Sequence, residues 1–259
     1  MLILLPPSEG KSDPAPGPPV DLDGLAFADQ LRDQRERLVA GLEKLSRRSV
    51  KKAVEALAIS AGQAADVARD GQLASAPAAP AAEVYSGVLY DRLGFGSLTP
   101  TAAKRSAERV LIASALWGML RPGDRIPYYR FSMKARLPRL PAMAAYWRPA
   151  LAEAMQAGGH DHEDGLILDM RSGAYSAAWK PKRARLVSVR AFTESGGRRK
   201  VVSHMVKATR GEVARLVLTA RKAPESAESV ATILESAGLR VELCDSFLDI
   251  IEDRRMEDS

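Results

Sequence analysis

The sequence of 259 residues is poor in the side chains that form cross-links and metal centres. Its one cysteine, Cys244, excludes an intrachain disulfide and leaves too few thiols for a zinc or iron–sulfur site. Two of its three histidines stand in the run HDHED at residues 160–164, whose spacing matches no familiar zinc arrangement and is typical of a solvated turn. The sequence therefore predicts no metal, no cofactor and a reducing, cytoplasmic location.

Long apolar runs are also missing. Residues 1–5 are apolar, but no basic segment precedes them and they stop at Pro6 and Pro7, which makes them too short for a signal peptide or a membrane span. Elsewhere no run approaches the roughly 18 apolar residues that a spanning helix needs. Because 46% of the residues are hydrophobic, the chain can bury a sizeable core, and we expect a soluble globular protein without a membrane partner.

Common nucleotide and nucleophile motifs are absent too. GxGxxG does not occur, and PPSEGK at residues 6–11 lacks the upstream glycine of a P-loop, although Ser12 follows Lys11. No nucleophile stands beside a base in the sequence, and His204 falls in an alternating pattern that favours a structural histidine. A nucleophile at Ser8, activated by a nearby lysine such as Lys11, stays open.

The chain carries a net charge of +6, and its charged residues are unevenly distributed along the sequence. Residues 180–222 hold 13 basic and 2 acidic side chains, residues 32–52 hold 8 and 3, and residues 223–259 hold 3 and 10. Clustered positive charge favours polyanions or phosphorylated ligands, through counterion release or direct pairing. A solvated surface with an acidic tail would explain the same counts.

Hydrophobic periodicity predicts a mixed α/β or α+β domain. Short buried strands are expected at 2–5 and 165–169, and alternating strands at 186–193, 201–205 and 239–243, with a hairpin turn around 195–197. Helices are expected at 25–70, 101–119, 142–157, 207–219 and 226–237. The first should break at 58–62. The second could pass into a strand before Trp117. Ser46 or Ser49 and Thr99 or Thr101 are the candidate N-caps.

Several buried elements end in polar loops that could converge on one crevice. The loops are PPSEGK after the first strand, RPGDRIPYYR after the 110s, DMRSGAY after residues 165–169, and SHMVKATRGEVAR at a strand-to-helix junction. Loops at the ends of sheet strands can meet at one edge, where helix N-termini favour anions. We predict that Lys11, Asp124, Arg130, Asp169, Lys207 and Arg210 surround one concave site.

These motifs resemble those of the YaaA family of peroxide stress resistance proteins. The resemblance is carried by MLILLPPSEGK, ALWGMLRPGDRIPYYRFSM, the helix around Trp147, LDMRSGAYSAAWKPK and VSHMVKATRGEVAR, in order along nearly the whole chain. It implies a single α/β domain over residues 1–259, with an unusual topology, a helix-hairpin-helix-like element at 38–69 and a positively charged cleft. It also implies DNA binding linked to oxidative stress and the limitation of free iron.

The resemblance assigns cleft residues one by one. The N-terminal loop departs from the family, in which Ser-Pro-Ala-Lys is frequent, and this makes Lys11 a firmer match than Ser8 or Glu9. Lys11, Asp124 and Asp169 are the candidate catalytic residues. The cleft and anion-binding candidates are Ser8, Lys11, Tyr128, Tyr129, Arg130, Ser172, Tyr175, Lys180, Lys207, Arg210 and Gly211.

Two functions remain open at this point. In the first, the protein binds duplex DNA with weak sequence preference, through Arg47, Arg48, Lys51, Lys52 and the backbone near Gly62; a solvated basic face explains these residues as well. In the second, it is an enzyme acting on a nucleotide or another phosphorylated small molecule. Carboxylates in a basic cleft favour the second, since they repel phosphate but accept hydrogen bonds from base or sugar. The aromatic side chains of Tyr128, Tyr129, Tyr175 and Trp147 could stack a base or pack in the core.

Overall fold

The computed structural model describes residues 1–162, 164–195, 198–201 and 203–253. Its strands are β1 Leu2–Leu5, β2 Ala78–Pro80, β3 Val110–Ser114, β4 Gly118–Leu120, β5 Arg125–Pro127, β6 Leu166–Asp169, β7 Arg185–Ser195, β8 Arg198–Lys200, β9 Arg240–Cys244 and β10 Phe247–Asp253. Its α-helices are α1 Ala28–Arg48, α2 Val50–Leu57, α3 Ala64–Asp70, α4 Ala81–Val84, α5 Val88–Leu93, α6 Pro100–Arg109, α7 Met143–Ala157, α8 Gly173–Ser176, α9 Ser203–Thr219 and α10 Ala227–Ser236.

A mostly parallel sheet organises these elements, which confirms the mixed α/β class. Its order is β4-β3-β1-β6-β7-β10-β9, with β8 paired to β7. The fully buried β1 lies between β3 and β6 and is parallel to both, with Ile3 opposite Val110 and Leu4 opposite Asp169. The loops that follow these three strands therefore leave the sheet at the same edge, as their polar composition suggested.

The first helical region has the predicted break. α1 ends at Arg48, and the Ser49 side chain caps α2 by accepting from the Lys52 amide at 3.4 Å. Ala58 then takes a left-handed conformation with φ of 53°, which ends α2 before the turn at 58–63. Ser49 is thus confirmed as an N-cap. Ser46 is not a cap, because it is buried within α1.

The helix predicted at residues 101–119 ends about halfway along this range, and a strand follows it. Thr99 caps α6, whose last residue is Arg109, and β3 begins at once with Val110. All five residues of β3 are buried, and an uninterrupted apolar run of this length does not reveal its period from sequence alone. The passage into a strand was the correct alternative.

Two predictions near the C-terminus are corrected. Residues 203–205 belong to α9 rather than to a strand, because β8 at Arg198–Lys200 already completes the pairing with β7. The predicted turn at 196–197 lies outside the described residues, as does the side chain of His204. The acidic stretch after Cys244 also contains β10, which pairs in parallel with β7 and was not predicted.

Buried polar groups join the helices to the edge of the sheet. Arg35 of α1 is fully buried and donates to the carbonyls of Trp117 and Met119, each at 3.0 Å, and of Ala26 at 2.7 Å. Trp147 of α7 is equally buried, and its indole Nε1 donates to Ala115 O at 2.7 Å. Trp147 is therefore a core residue in this structure, and its ring is not exposed for stacking.

Membrane-spanning character can be judged from the helices. Within residues 1–162 and the later described ranges, no helix combines the length and the apolar composition that crossing a bilayer requires.

Candidate functional site

Lys11 is the centre of a group of polar and aromatic side chains that we call the lysine cluster: Ser8, Lys11, Asp66, Asp70, Tyr85, Tyr128, Tyr129 and Arg130. The loop after β1 brings Lys11 into a β-bridge with Tyr85. The Lys11 ammonium donates to Ser8 O at 2.8 Å and lies 4.4 Å from the centre of the Tyr129 ring and 5.6 Å from that of Tyr85. Such ring faces attract a cation without neutralising it.

Hydroxyl groups form the floor of the lysine cluster. The hydroxyls of Tyr85 and Tyr129 are 2.7 Å apart, and Ser114 Oγ at the end of β3 lies 2.8 Å from the Tyr129 hydroxyl. Ser114 Oγ also accepts from the Trp117 amide at 3.1 Å. Burial raises the pKa of both tyrosines far above the ordinary value, so both keep their protons at neutral pH.

The Lys11 amine has an unusual protonation equilibrium. Burial, and next the positive charge of Arg130, lower the pKa of Lys11 to about 7. Asp70, Glu9 and Asp66 act in the opposite direction without overcoming these effects. No described carboxylate forms an ion pair with the Lys11 ammonium, so a substantial fraction of Lys11 is a neutral amine at physiological pH.

α3 forms the wall of the lysine cluster through two carboxylates. Asp70 is fully buried; its Oδ1 accepts from the Arg130 amide at 2.8 Å, while its Oδ2 has no hydrogen-bond partner among the described residues. Burial raises the pKa of Asp70 to about 7. Asp66 accepts from the Tyr128 hydroxyl at 3.0 Å and lies 4.0 Å from Arg130 Nε. Of the two carboxyl groups of the wall, Asp70 is the one that burial makes readily protonated.

Arg130 connects the wall to the loop after β1. Its guanidinium Nη1 donates to Glu9 O at 2.8 Å, across 121 residues of sequence, and 18% of its side chain is exposed. The Arg69 guanidinium stacks on Tyr128, 3.5 Å from the centre of the ring. A cation at the rim and a neutral amine behind it would suit an anionic ligand with an electrophilic centre.

Five of the predicted cleft residues are brought together by these contacts: Ser8, Lys11, Tyr128, Tyr129 and Arg130. Tyr175 lies near the same loop, because the charge of Glu9 acts on its hydroxyl. Burial, and to a smaller extent Glu9, raise the pKa of Tyr175 to about 12, while a hydrogen bond with the Met133 backbone lowers it. Sequence reasoning missed Tyr85, Ser114, Asp66 and Asp70. The spacing of Asp66 and Asp70 by four residues places both on one helix face and was the available signal.

A second polar group surrounds Asp169 at the end of β6. The carboxylate of Asp169 pairs with Arg171 through two bonds of 2.8 and 2.9 Å, and Arg171 also donates to Trp179 O at 3.0 Å. Arg210 donates to Val189 O at 3.3 and 3.4 Å; burial lowers its pKa and the charge of Asp169 opposes this. Arg171 was not predicted and neutralises the carboxylate that was.

The other predicted site residues lie as follows. Asp124 accepts from the amides of Ala26 and Arg121, each at 3.0 Å, and so holds the turn before β5. Gly211 brings α9 against the backbone of α5. Ser172, Lys180 and Lys207 are exposed. Ligand roles for all of these residues stay predictions.

The basic residues of α1 and α2 divide into two kinds. Arg47 Nε donates to Gly71 O at 2.6 Å, and its Nη2 lies 3.3 Å from Glu43, so Arg47 fastens the end of α3 to α1. Arg48, Lys51 and Lys52 are exposed, and no described carboxylate pairs with them. We call these three residues the basic face. Gly62, in the turn between α2 and α3, is exposed as well.

Comparison with known proteins places the chain in a family. Residues 1–242 match the family model described as peroxide stress protein YaaA. A UPF0246 protein of Streptomyces coelicolor is 44% identical over 93% of this chain and 92% of its own length. A UPF0246 protein of Corynebacterium efficiens is 42% identical over 94% of this chain and 95% of its own length. One of Corynebacterium glutamicum is 37% identical over 93% of this chain and 95% of its own length. The chain therefore belongs to the YaaA family of peroxide stress proteins.

Proposed function

We propose that this protein acts in peroxide defence by binding duplex DNA through the basic face. The observation that carries the proposal is that Arg48, Lys51 and Lys52 are exposed together without a described carboxylate partner. Their charges are available to phosphates, whose condensed counterions are released on binding. Membership of a peroxide stress family supplies the physiological setting.

Two acidic residues of the neighbouring α3 are engaged elsewhere. Asp66 and Asp70 of α3 face the lysine cluster, where Tyr128 and Arg130 contact them. The turn between α2 and α3 exposes Gly62, where an added methyl group would meet only Ser60 Oγ at 3.9 Å. A phosphate can therefore approach the backbone closely at this turn.

Weak sequence preference follows from the shape of the surface. α2 has eight residues and presents lysines without an array of side chains suited to base edges. Phosphate contacts fix the position of a protein on DNA but carry no sequence information. The affinity should therefore depend strongly on salt and little on sequence.

The test is a triple variant, R48Q/K51Q/K52Q, compared with K104Q/R221Q/K222Q. Both remove three exposed positive charges, but Lys104, Arg221 and Lys222 lie on α6 and after α9. Titration of a labelled duplex at several salt concentrations should give a slope of log affinity against log salt that is shallower by up to about 2.7 in the first variant only. Equal losses in both variants, or no loss in either, would contradict the proposal.

A second function is favoured by the lysine cluster itself. A half-buried lysine without a described carboxylate partner, beside a partly exposed arginine, is suited to a phosphorylated small molecule or a nucleotide. Calorimetric titration with nucleotides and sugar phosphates would test this function. Binding that is lost in Lys11→Met and kept in Lys51→Met would support it, and binding that is equal in both would contradict it.

A further inference from the structure

Two ionisable groups of the lysine cluster form no ion pair with any described residue. The Lys11 ammonium has a carbonyl oxygen and two ring faces as neighbours, and Asp70 Oδ2 is buried without a described partner. A fold that needed stability alone would gain from replacing either group by an apolar one. Ionisable groups without an ion-pair partner are common at reactive centres, where the environment shifts the pKa of an acid or a base toward neutral pH.

The neighbours of Lys11 suit nucleophilic chemistry at its nitrogen. The amine contacts no described acid, so its lone pair is free whenever it is deprotonated. Lysines of this kind attack carbonyl carbon and form imines. The hydroxyls of Tyr85 and Tyr129 remain protonated at the same pH and do not compete as nucleophiles.

We propose that Lys11 Nζ is a nucleophile that condenses with the aldehyde carbon of a phosphorylated sugar. The nitrogen lone pair forms a C–N bond while the carbonyl π electrons move to oxygen, which takes up a proton. The nitrogen then loses one proton to give a carbinolamine, the hydroxyl group leaves as water with one proton added, and the nitrogen loses its second proton so that a neutral C=N bond remains. The overall change is amine plus aldehyde to imine plus water, so no oxidant or further reactant is needed.

The phosphorylated sugar is inferred from the rim of the cluster. The partly exposed side chain of Arg130 lies beside the loop of Lys11, and its guanidinium can pair with a phosphate. An aldehyde on a phosphorylated deoxyribose has two sources, an abasic site in DNA and free 2-deoxyribose 5-phosphate. The DNA source rests on the proposed binding of duplex DNA, and the free sugar rests on the second function.

The experiment is reductive trapping with the full-length protein. The protein is incubated with sodium cyanoborohydride, which reduces imines, and with either a duplex containing one abasic site or free 2-deoxyribose 5-phosphate. Peptide mass spectrometry should locate the adduct at Lys11. Adduct yield should fall at least about tenfold in Lys11→Arg, which keeps the charge, and stay unchanged in Lys104→Arg, an exposed position on α6 outside both proposed sites.

The pH dependence of trapping gives a second measurement that needs no variant. Because the Lys11 amine is half deprotonated near pH 7, the rate for the wild-type protein should level off above about pH 7 to 8. An ordinary lysine would keep accelerating toward pH 10. Adduct spread over surface lysines, adduct retained in Lys11→Arg, or no adduct with either sugar would overturn the proposal.

Failure of this inference can be distinguished from failure of the proposed function. A gel shift with an intact duplex, without reductant, reports DNA binding alone. A shift without an adduct on either sugar leaves DNA binding standing and overturns the role of Lys11. An adduct with the free sugar and no shift supports the role of Lys11 and overturns DNA binding.

Discussion

At the scale of single residues, Lys11 shows how a reactive group lowers stability. Its amine is removed from water and lies near the positive Arg130, so the charged form is disfavoured in the folded state. The folded-state pKa of about 7 is below the ordinary value of 10.5. Between these values the unfolded chain binds the proton and the folded chain does not, so stability rises with pH across this window.

Lys11→Met should therefore stabilise the protein at neutral and lower pH. The gain should be largest below pH 7, shrink as pH rises and approach zero near pH 10.5, because the unfolded chain then loses the proton that the folded chain has already lost. We expect Tm to rise by about 2–4 °C or more at pH 7. Calorimetry between pH 6 and about 10 measures this change in Tm, and Lys51→Met, at an exposed position, is the control. A Tm that falls in Lys11→Met would show that the amine is not under electrostatic strain.

At the scale of elements, the structure separates basic residues that stabilise α3 from those that are free. Arg47 belongs to the predicted DNA-binding set, but its guanidinium holds Gly71 O and Glu43. Because α3 carries Asp66 and Asp70 into the lysine cluster, Arg47 also supports the candidate site indirectly. A charge neutralisation that included Arg47 would mix loss of binding with loss of structure.

Arg47→Ala should lower the free energy of unfolding by about 1–2 kcal/mol, since it leaves the Gly71 carbonyl without its charged donor. Arg48→Ala removes the same charge one residue later and should change it by less than about 0.5 kcal/mol. Urea unfolding measures both. Equal effects of the two substitutions would mean that the contact with Gly71 contributes nothing.

The contact between α9 and α5 depends on Gly211. A methyl group there would overlap the carbonyl oxygen of Leu89 and lie 2.9 Å from Arg92 Cβ, and both helices would have to move. Gly211→Ala should therefore destabilise the fold by about 1–3 kcal/mol, although alanine favours helices. Gly96→Ala, where no atom lies within 4 Å, is the matched control. Thermal unfolding of both variants distinguishes close packing from a general intolerance of substitution.

At the scale of the whole molecule, charge is arranged so that one surface can attract a polyanion. Arg48, Lys51 and Lys52 point to solvent, whereas part of the positive charge between 180 and 222 is paired; Arg190 contacts Asp249, and Arg199 contacts Glu242. The acidic residues of β9 and β10 thus neutralise basic residues of β7 and β8. This pairing was not visible in the regional charge counts.

If the three residues of the basic face each contact one phosphate, duplex affinity should fall about 40-fold when salt rises from about 50 to about 200 mM. Fluorescence anisotropy with two duplexes of unrelated sequence measures the salt dependence and the sequence preference together. Affinities that are equal at both salt concentrations would remove the electrostatic explanation. A large difference between the two duplexes would contradict recognition through phosphates.

The sequence by itself determined the strands and helices that local features mark. β1 and β6 are short apolar runs bounded by polar loops, α7 ends at Gly158 as predicted, and α2 begins after the Ser49 cap. These features depend on neighbouring residues, which is why they can be read locally. The order of polar loops after buried elements also indicated that residues distant along the chain belong to one edge of the sheet.

The tertiary structure alone decided which of those residues meet. Lys11, Tyr85 and Arg130 become neighbours because the loop after β1 forms a β-bridge with Tyr85 and accepts a hydrogen bond from Arg130 at Glu9 O, contacts that no local pattern specifies. Whether a charge is free or paired was likewise undetermined, since Arg47 and Arg48 are adjacent in sequence, yet Arg47 contacts Glu43 and the end of α3 and Arg48 does not. The pKa of Lys11 has the same origin, because desolvation depends on the groups that fold around an amine and not on its sequence neighbours.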